Sequence, residues 1–164
     1  MSDSPLQSLR SVWPHEGRPA EVVRRLKYGS ASAAVTVLAD AMAACAPPAD
    51  LVTWCPATPR ARRDRSFDQS ELLARAIGHR LAIRTRGLLR RSRHDRAQTG
   101  RDRAGRLVGP DLTAVGRLRG QPVVLLVDDV ATTGTTLATA AEVLHLAGAG
   151  AVHGLVATRA GWAA

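Results

Sequence analysis

Residues 123–136 read Val-Val-Leu-Leu-Val-Asp-Asp-Val-Ala-Thr-Thr-Gly-Thr-Thr. Five successive apolar residues, most of them β-branched, suit a strand covered on both faces, the situation of a parallel sheet. Asp128 and Asp129 follow at its carboxyl end. A loop of small residues comes next, and Leu137, Ala141 and Leu144 then recur at helical spacing. Unpaired amides at a helix start, together with the helix dipole, favour an anion there. Gly134 lets the backbone come close to a phosphate, and the hydroxyls of Thr132, Thr133, Thr135 and Thr136 add donors. Two carboxylates beside such a loop accept hydrogen bonds from sugar hydroxyls or hold Mg²⁺ through water. An ordinary solvated Asp-Asp turn before a Thr-capped helix seldom combines all these parts in this order. A Walker A loop is excluded, because no Gly-Lys-Ser/Thr follows the glycine and the only lysine is Lys27. The same lysine count excludes a phosphoacceptor receiver domain, which needs a lysine late in the chain.

The 164 residues suit one domain able to bury about two thirds of its unfolded surface. The chain divides into a polar amino-terminal tail, residues 1–17, and a domain over residues 18–164. No stretch reaches the ~18 apolar residues of a membrane span, and the tail lacks the apolar core of a signal peptide, so the cytoplasm is the expected location. Cys45 and Cys55 form no Cys-x-x-Cys pair and are read as buried, inert thiols. The net charge of +9 is almost wholly arginine. It suits polyanions, either nucleic acid or a diphosphate substrate, although the abundance of Ala and Arg beside a single Lys also reflects a G+C-rich coding sequence. Aromatic residues make up 3% of the chain, leaving few platforms on which bases could stack.

Along the chain, Val22, Val23 and Leu26 predict a helix from Arg18 ending near Tyr28, with Gly29 as C-cap. Ser30 or Ser32 caps a second helix carrying Val35, Leu38, Ala39 and Met42, which stops before Pro47-Pro48. Asp50–Cys55 reads as a strand. Pro56-Ala57-Thr58-Pro59 and the arginines after it read as a rigid basic loop, leading into a helix from about Ser66 with Leu73, Ile77 and Leu81. Gly87–Leu89 is a second short strand candidate. Residues 90–120 keep no period, which marks a functional lid or a disordered stretch. Val152–Thr158 reads as the last strand. Strands alternating with helices predict an α/β fold, a mostly parallel central sheet flanked by helices. Ligands then sit beyond the carboxyl ends of the strands, where Cys55-Pro56, Asp128-Asp129 and the end of the last strand meet. The five histidines have no partner at metal-ligand spacing and are read as structural or surface residues.

The strand, acid pair and Thr/Gly loop resemble the phosphoribosyl diphosphate (PRPP) motif of type I phosphoribosyltransferases. Three further segments are similar to those of the ComF family of competence-associated phosphoribosyltransferase-like proteins. They are Leu26-Lys27-Tyr28-Gly29; Arg63-Asp64-Arg65-Ser66-Phe67-Asp68-Gln69-Ser70; and Leu89-Arg90-Arg91-Ser92-Arg93 with Gln98 and Arg103. The resemblance implies a type I phosphoribosyltransferase fold with a flexible lid loop, and Mg²⁺-dependent transfer of a phosphoribosyl group with release of diphosphate. It implies Asp128 and Asp129 as catalytic residues on the ribose and as the Mg²⁺ site. Ala131, Thr132, Thr133, Gly134, Thr135 and Thr136 are implied for the 5′-phosphate, Arg60, Arg63 and Arg65 for the diphosphate, and Arg91, Arg93, Gln98 and Arg103 for the lid. PRPP is the implied partner; no segment identifies the acceptor, and a homodimer is left open. Members of the family often open with a cysteine-rich zinc-binding segment, which this sequence is expected to lack. Ser66 stands for the family glycine, Asp68 for its asparagine and Arg106 for another asparagine. These departures, with the charge, motivate an alternative: a catalytically silent member that binds nucleic acid in DNA uptake or regulation.

Overall fold

The computed structural model describes residues 4–28, 31–59, 61, 63, 67–91 and 111–161. Its centre is β6, Val123–Ala131, whose apolar run pairs in parallel with β2, Leu51–Trp54, on one side and with β7, Ala151–Arg159, on the other. Two outer strands complete the sheet: β1, Ser8–Pro14, beside β7, and β3, Arg84–Thr85, beside β2. The order is β1-β7-β6-β2-β3, and every pairing is parallel.

Helices cover both faces. Alternate residues of β6 point opposite ways, so Val124 and Leu126 join one core and Leu125 and Val127 the other. Leu137, Ala140, Ala141 and Leu144 of α4, Thr135–Leu146, fill the first core together with Val152 and Val156. The second core holds α1, Gly17–Tyr28, α2, Ala31–Ala44, and α3, Gln69–Leu81, through Val23, Leu26, Leu38, Met42, Leu73 and Ile77. The chain leaves β2 through α3 for β3 on one side, and leaves β6 through α4 for β7 on the other. The connections therefore diverge between β2 and β6, the point at which an open α/β sheet leaves a crevice at its carboxyl edge. A small antiparallel hairpin, β4, Leu89–Arg91, with β5, Leu112–Ala114, packs Leu89 and Leu112 into the α4 core. It joins the two ends of residues 92–110, the expected lid, which lie outside the described residues.

The residues expected to form a polar tail contain the edge strand β1. Its side chains are half-buried except for the exposed Arg10 and Pro14, and Ser8, Arg10 and Ser11 interrupt it, so no apolar run announces it. The short strand expected at Gly87–Leu89 begins instead at Leu89, in the hairpin, while β3 and β5 fall in segments without period. β6 continues through the acid pair to Ala131 because β7 runs equally far alongside it. α3 starts at Gln69, not at about Ser66, because Asp68 holds its first amides. Cys55 is buried as expected, whereas Cys45 is only half-buried. Of the histidines, His153 Nδ1 pairs with Ser8 Oγ at 2.8 Å and His15 Nδ1 with Thr158 Oγ1 at 2.7 Å, both between strand neighbours. Gly29, the expected C-cap of α1, lies outside the described residues.

Gly78 is where α3 meets β3. A methyl group there would fall on Thr85 Oγ1 and lie 2.9 Å from the Ile83 carbonyl oxygen. Gly78→Ala is expected to destabilise the fold by about 1–3 kcal/mol in denaturant unfolding, and a second change, Thr85→Ala, to recover part of that loss.

Candidate functional site

β6 delivers its chain to the carboxyl edge and α4 carries it away, with Thr132, Thr133 and Gly134 between. Gly134 has φ 77°, a left-handed backbone that a side chain would strain, and the space where a Cβ would stand is open. It occupies the N-cap position of α4 and has no side chain to cap the helix; of the first-turn amides Thr135 N–H donates to Thr133 Oγ1, at 3.4 Å. Thr132 and Thr133 are exposed and Thr135 and Thr136 half-buried. Thr133 Oγ1 lies 2.9 Å from Thr135 Oγ1, which tightens the turn. Asp128 and residues 130–137 line a shallow cradle of about 30 Å³. The cradle is thus open, with the positive end of the helix facing it, as an anion site requires.

Asp128 stands at the inner end of this cradle. Its Oδ1 accepts two hydrogen bonds, from Ser70 Oγ at 2.7 Å and from the Asp129 amide at 2.9 Å. Burial, followed by the charge of Asp129 within hydrogen-bonding reach, pushes its carboxyl up from 3.8 to about 7, against the lowering effect of the two donors. Cys55, at the end of β2, is buried beside it. Burial and then the Asp128 charge push this thiol well above its ordinary range, which makes it a packing group and not a nucleophile.

The chain beyond β2 is held from two directions. Asp68, the N-cap of α3, accepts from the Ser70 and Glu71 amides through Oδ1 at 3.1 and 3.3 Å, and from the Ala57 amide through Oδ2 at 2.8 Å. From the hairpin, Arg91 Nε donates to the Pro56 carbonyl at 3.1 Å. A cavity of about 1240 Å³ opens here, between the end of β2, the start of α3 and the hairpin, and its walls include Trp54, Arg63, Asp68, Arg90 and Arg91. Arg75 lies 5.6 Å from the centre of the Trp54 ring and pairs with Glu71 at 2.8 Å. Of the arginines expected on the diphosphate and in the lid, the fold brings Arg63 and Arg91 to this cavity. Arg60, Arg65, Arg93, Gln98 and Arg103 lie outside the described residues.

Sequence reading missed Ser70 as a partner of Asp128, because 58 residues separate them and a serine on a helix carries no mark of what it will touch. Trp54 and Arg90 were likewise not singled out. Among the described residues no cluster of three or more His, Cys, Asp or Glu side chains could hold a metal by itself. The acid pair supplies two hard oxygen donors with surplus negative charge, which suits Mg²⁺ completed by water and ligand oxygens.

The raised carboxyl has a sign that can be checked. In the folded state Asp128 keeps its proton up to about pH 7, whereas in the unfolded chain it loses it near 3.8. Stability therefore falls as pH rises through that window and stays lower above it. Asp128→Asn keeps an acceptor for Ser70 and removes the charge. It is expected to stabilise the ligand-free protein by about 2 kcal/mol at pH 8, roughly half the full conversion because water still reaches the carboxyl, and by almost nothing at pH 4. Denaturant unfolding at the two pH values measures the difference.

No family model matches this chain, and no curated protein does. Among solved structures it is similar to the glutamine phosphoribosylpyrophosphate amidotransferase from B. subtilis, complexed with ADP and GMP. That match has 24% identity and a TM-score of 0.52, and covers 73% of this chain and 25% of that one. A structure titled as the allosteric regulatory enzyme of purine biosynthesis matches at 28% identity and a TM-score of 0.47, over 74% of this chain and 25% of its own. The chain thus spans about a quarter of the length of these solved chains. Its parallel sheet flanked by helices is the type I phosphoribosyltransferase fold.

Proposed function

We propose that this chain binds PRPP and transfers its phosphoribosyl group to an acceptor, releasing diphosphate, as a protein of the ComF type. The observation that carries this reading is the start of α4, which has no N-cap side chain and opens on the same cradle that Asp128 lines. The three segments similar to ComF sequences support the finer assignment, and a link to competence follows from that family's cellular setting.

The chemistry makes three demands. Amides and hydroxyls of Ala131, Thr132, Thr133, Gly134, Thr135 and Thr136 hold the 5′-phosphate at the positive end of the helix. Asp128 and Asp129 accept hydrogen bonds from the ribose hydroxyls and set negative charge beside the anomeric carbon as it becomes cationic. Arg63, which lines the cavity, and Arg60 and Arg65, its neighbours in sequence, bind the diphosphate oxygens with their guanidinium forks. The bond from the anomeric carbon to the diphosphate oxygen breaks with its electron pair on oxygen, and the acceptor's lone pair makes the new bond. Mg²⁺ at the acid pair would supply further positive charge to the departing diphosphate. Arg91, with Arg93, Gln98 and Arg103, belongs to the lid that keeps water from the reacting carbon.

Calorimetric titration with Mg²⁺-PRPP tests the reading. The wild-type protein is expected to bind with ribose 5-phosphate as a competitor, and Asp128→Asn/Asp129→Asn to bind at least about tenfold more weakly, the worth of one charge-assisted hydrogen bond. Absence of binding by the wild type would overturn the proposal.

A further inference from the structure

From the acid pair a line of hydrogen bonds leads back into the protein. Asp128 Oδ1 is held by Ser70 Oγ at 2.7 Å. The Ser70 amide is held at 3.1 Å by Asp68 Oδ1, and the other oxygen of that carboxylate holds the Ala57 amide at 2.8 Å. The adjacent Pro56 carbonyl takes the Arg91 Nε donor at 3.1 Å. Ser70 and Asp68 are 6% and 5% exposed; Ser70 acts through Asp128, and Asp68, although it borders the cavity, spends its carboxylate oxygens on the Ser70, Glu71 and Ala57 amides. Both stand at the first turn of α3, whose Leu73 and Ile77 are fully buried. A helix anchored in this way moves as one body. Whatever displaces one end of the line therefore displaces the other.

We infer that Ser70 and Asp68 are positioning residues forming a strut, which fixes the Asp128 carboxylate relative to the Pro56-Ala57 loop so that the ribose and diphosphate ends of PRPP are bound as a unit. The inference rests on the PRPP reading of the site. It also gives Asp68 a role that an asparagine cannot fill. A carboxylate presents acceptors to both the α3 amides and Ala57, whereas an amide, whichever way it turns, offers one acceptor and one donor.

The test compares wild type, Ser70→Ala, Ser70→Thr, Asp68→Asn and the Ser70→Ala/Asp68→Asn double variant, each titrated with Mg²⁺-PRPP. Ser70→Ala and Asp68→Asn are each expected to weaken binding about tenfold. Ser70→Thr, which keeps the hydroxyl, stays within about threefold of wild type. Since either change already breaks the strut, the double variant is also expected near tenfold. Losses that multiply to about a hundredfold, or wild-type affinity in Ser70→Ala, would overturn the inference. Amide hydrogen exchange in the ligand-free proteins separates it from the PRPP reading. Ser70→Ala is expected to speed exchange at both Asp129 and Ala57, while Leu73–Leu81 exchange as in wild type. That response in a protein that binds no PRPP removes the ligand assignment and leaves the strut. Unchanged exchange at Ala57 in a protein that binds PRPP removes the strut and leaves the ligand.

Discussion

β6 is paired along both edges and covered on both faces, so only its ends can meet water. This confinement governs the rest of the molecule. The strand needs an unbroken apolar run, which Val123–Val127 provide, and its first polar residues can fall only where the sheet ends. The connections on either side leave in opposite directions, one through α3 and the other through α4. No helix therefore crosses the edge between β2 and β6, and the crevice there is a product of topology before any side chain is considered.

What fills that edge is costly for the fold. Two adjacent carboxylates at a poorly hydrated strand end repel each other, and Asp128 responds by holding its proton. The start of α4 at Gly134, which has no side chain to cap it, adds to the cost. Local rules of stability are thus broken at neighbouring positions, and breaks of this kind gather at functional sites. The large cavity beside it has a different character, with arginines and one tryptophan facing open space.

The central strand, the acid pair and the loop were legible because each carries its own local signature: period, charge and small residues in fixed order. α2 and α3 were legible from Leu38, Met42, Leu73 and Ile77, whose spacing follows one helix face. The edge elements were not. β1 and β3 have one strand neighbour each and share their faces with water, so polar residues are tolerated and the pattern dissolves. The site was half legible for a related reason. Residues proposed to face the ligand, such as Asp128 and Gly134, carry a chemical type that the sequence displays. Residues that orient them, such as Ser70 and Asp68, are chosen by where the chain happens to return, and only coordinates reveal that.

The pairing of β1 with β7 sets Ser8 against His153, so the two borders of the sheet's left half are drawn from opposite ends of the chain. During synthesis residues 8–14 emerge well before residues 151–159, the strand with which they pair. The interval leaves an unpaired edge open to other nascent chains, and closure of so long a loop is slow. The seam between β1 and β7 is accordingly the pairing of widest sequence separation in the sheet, and the one whose closure costs the most chain entropy.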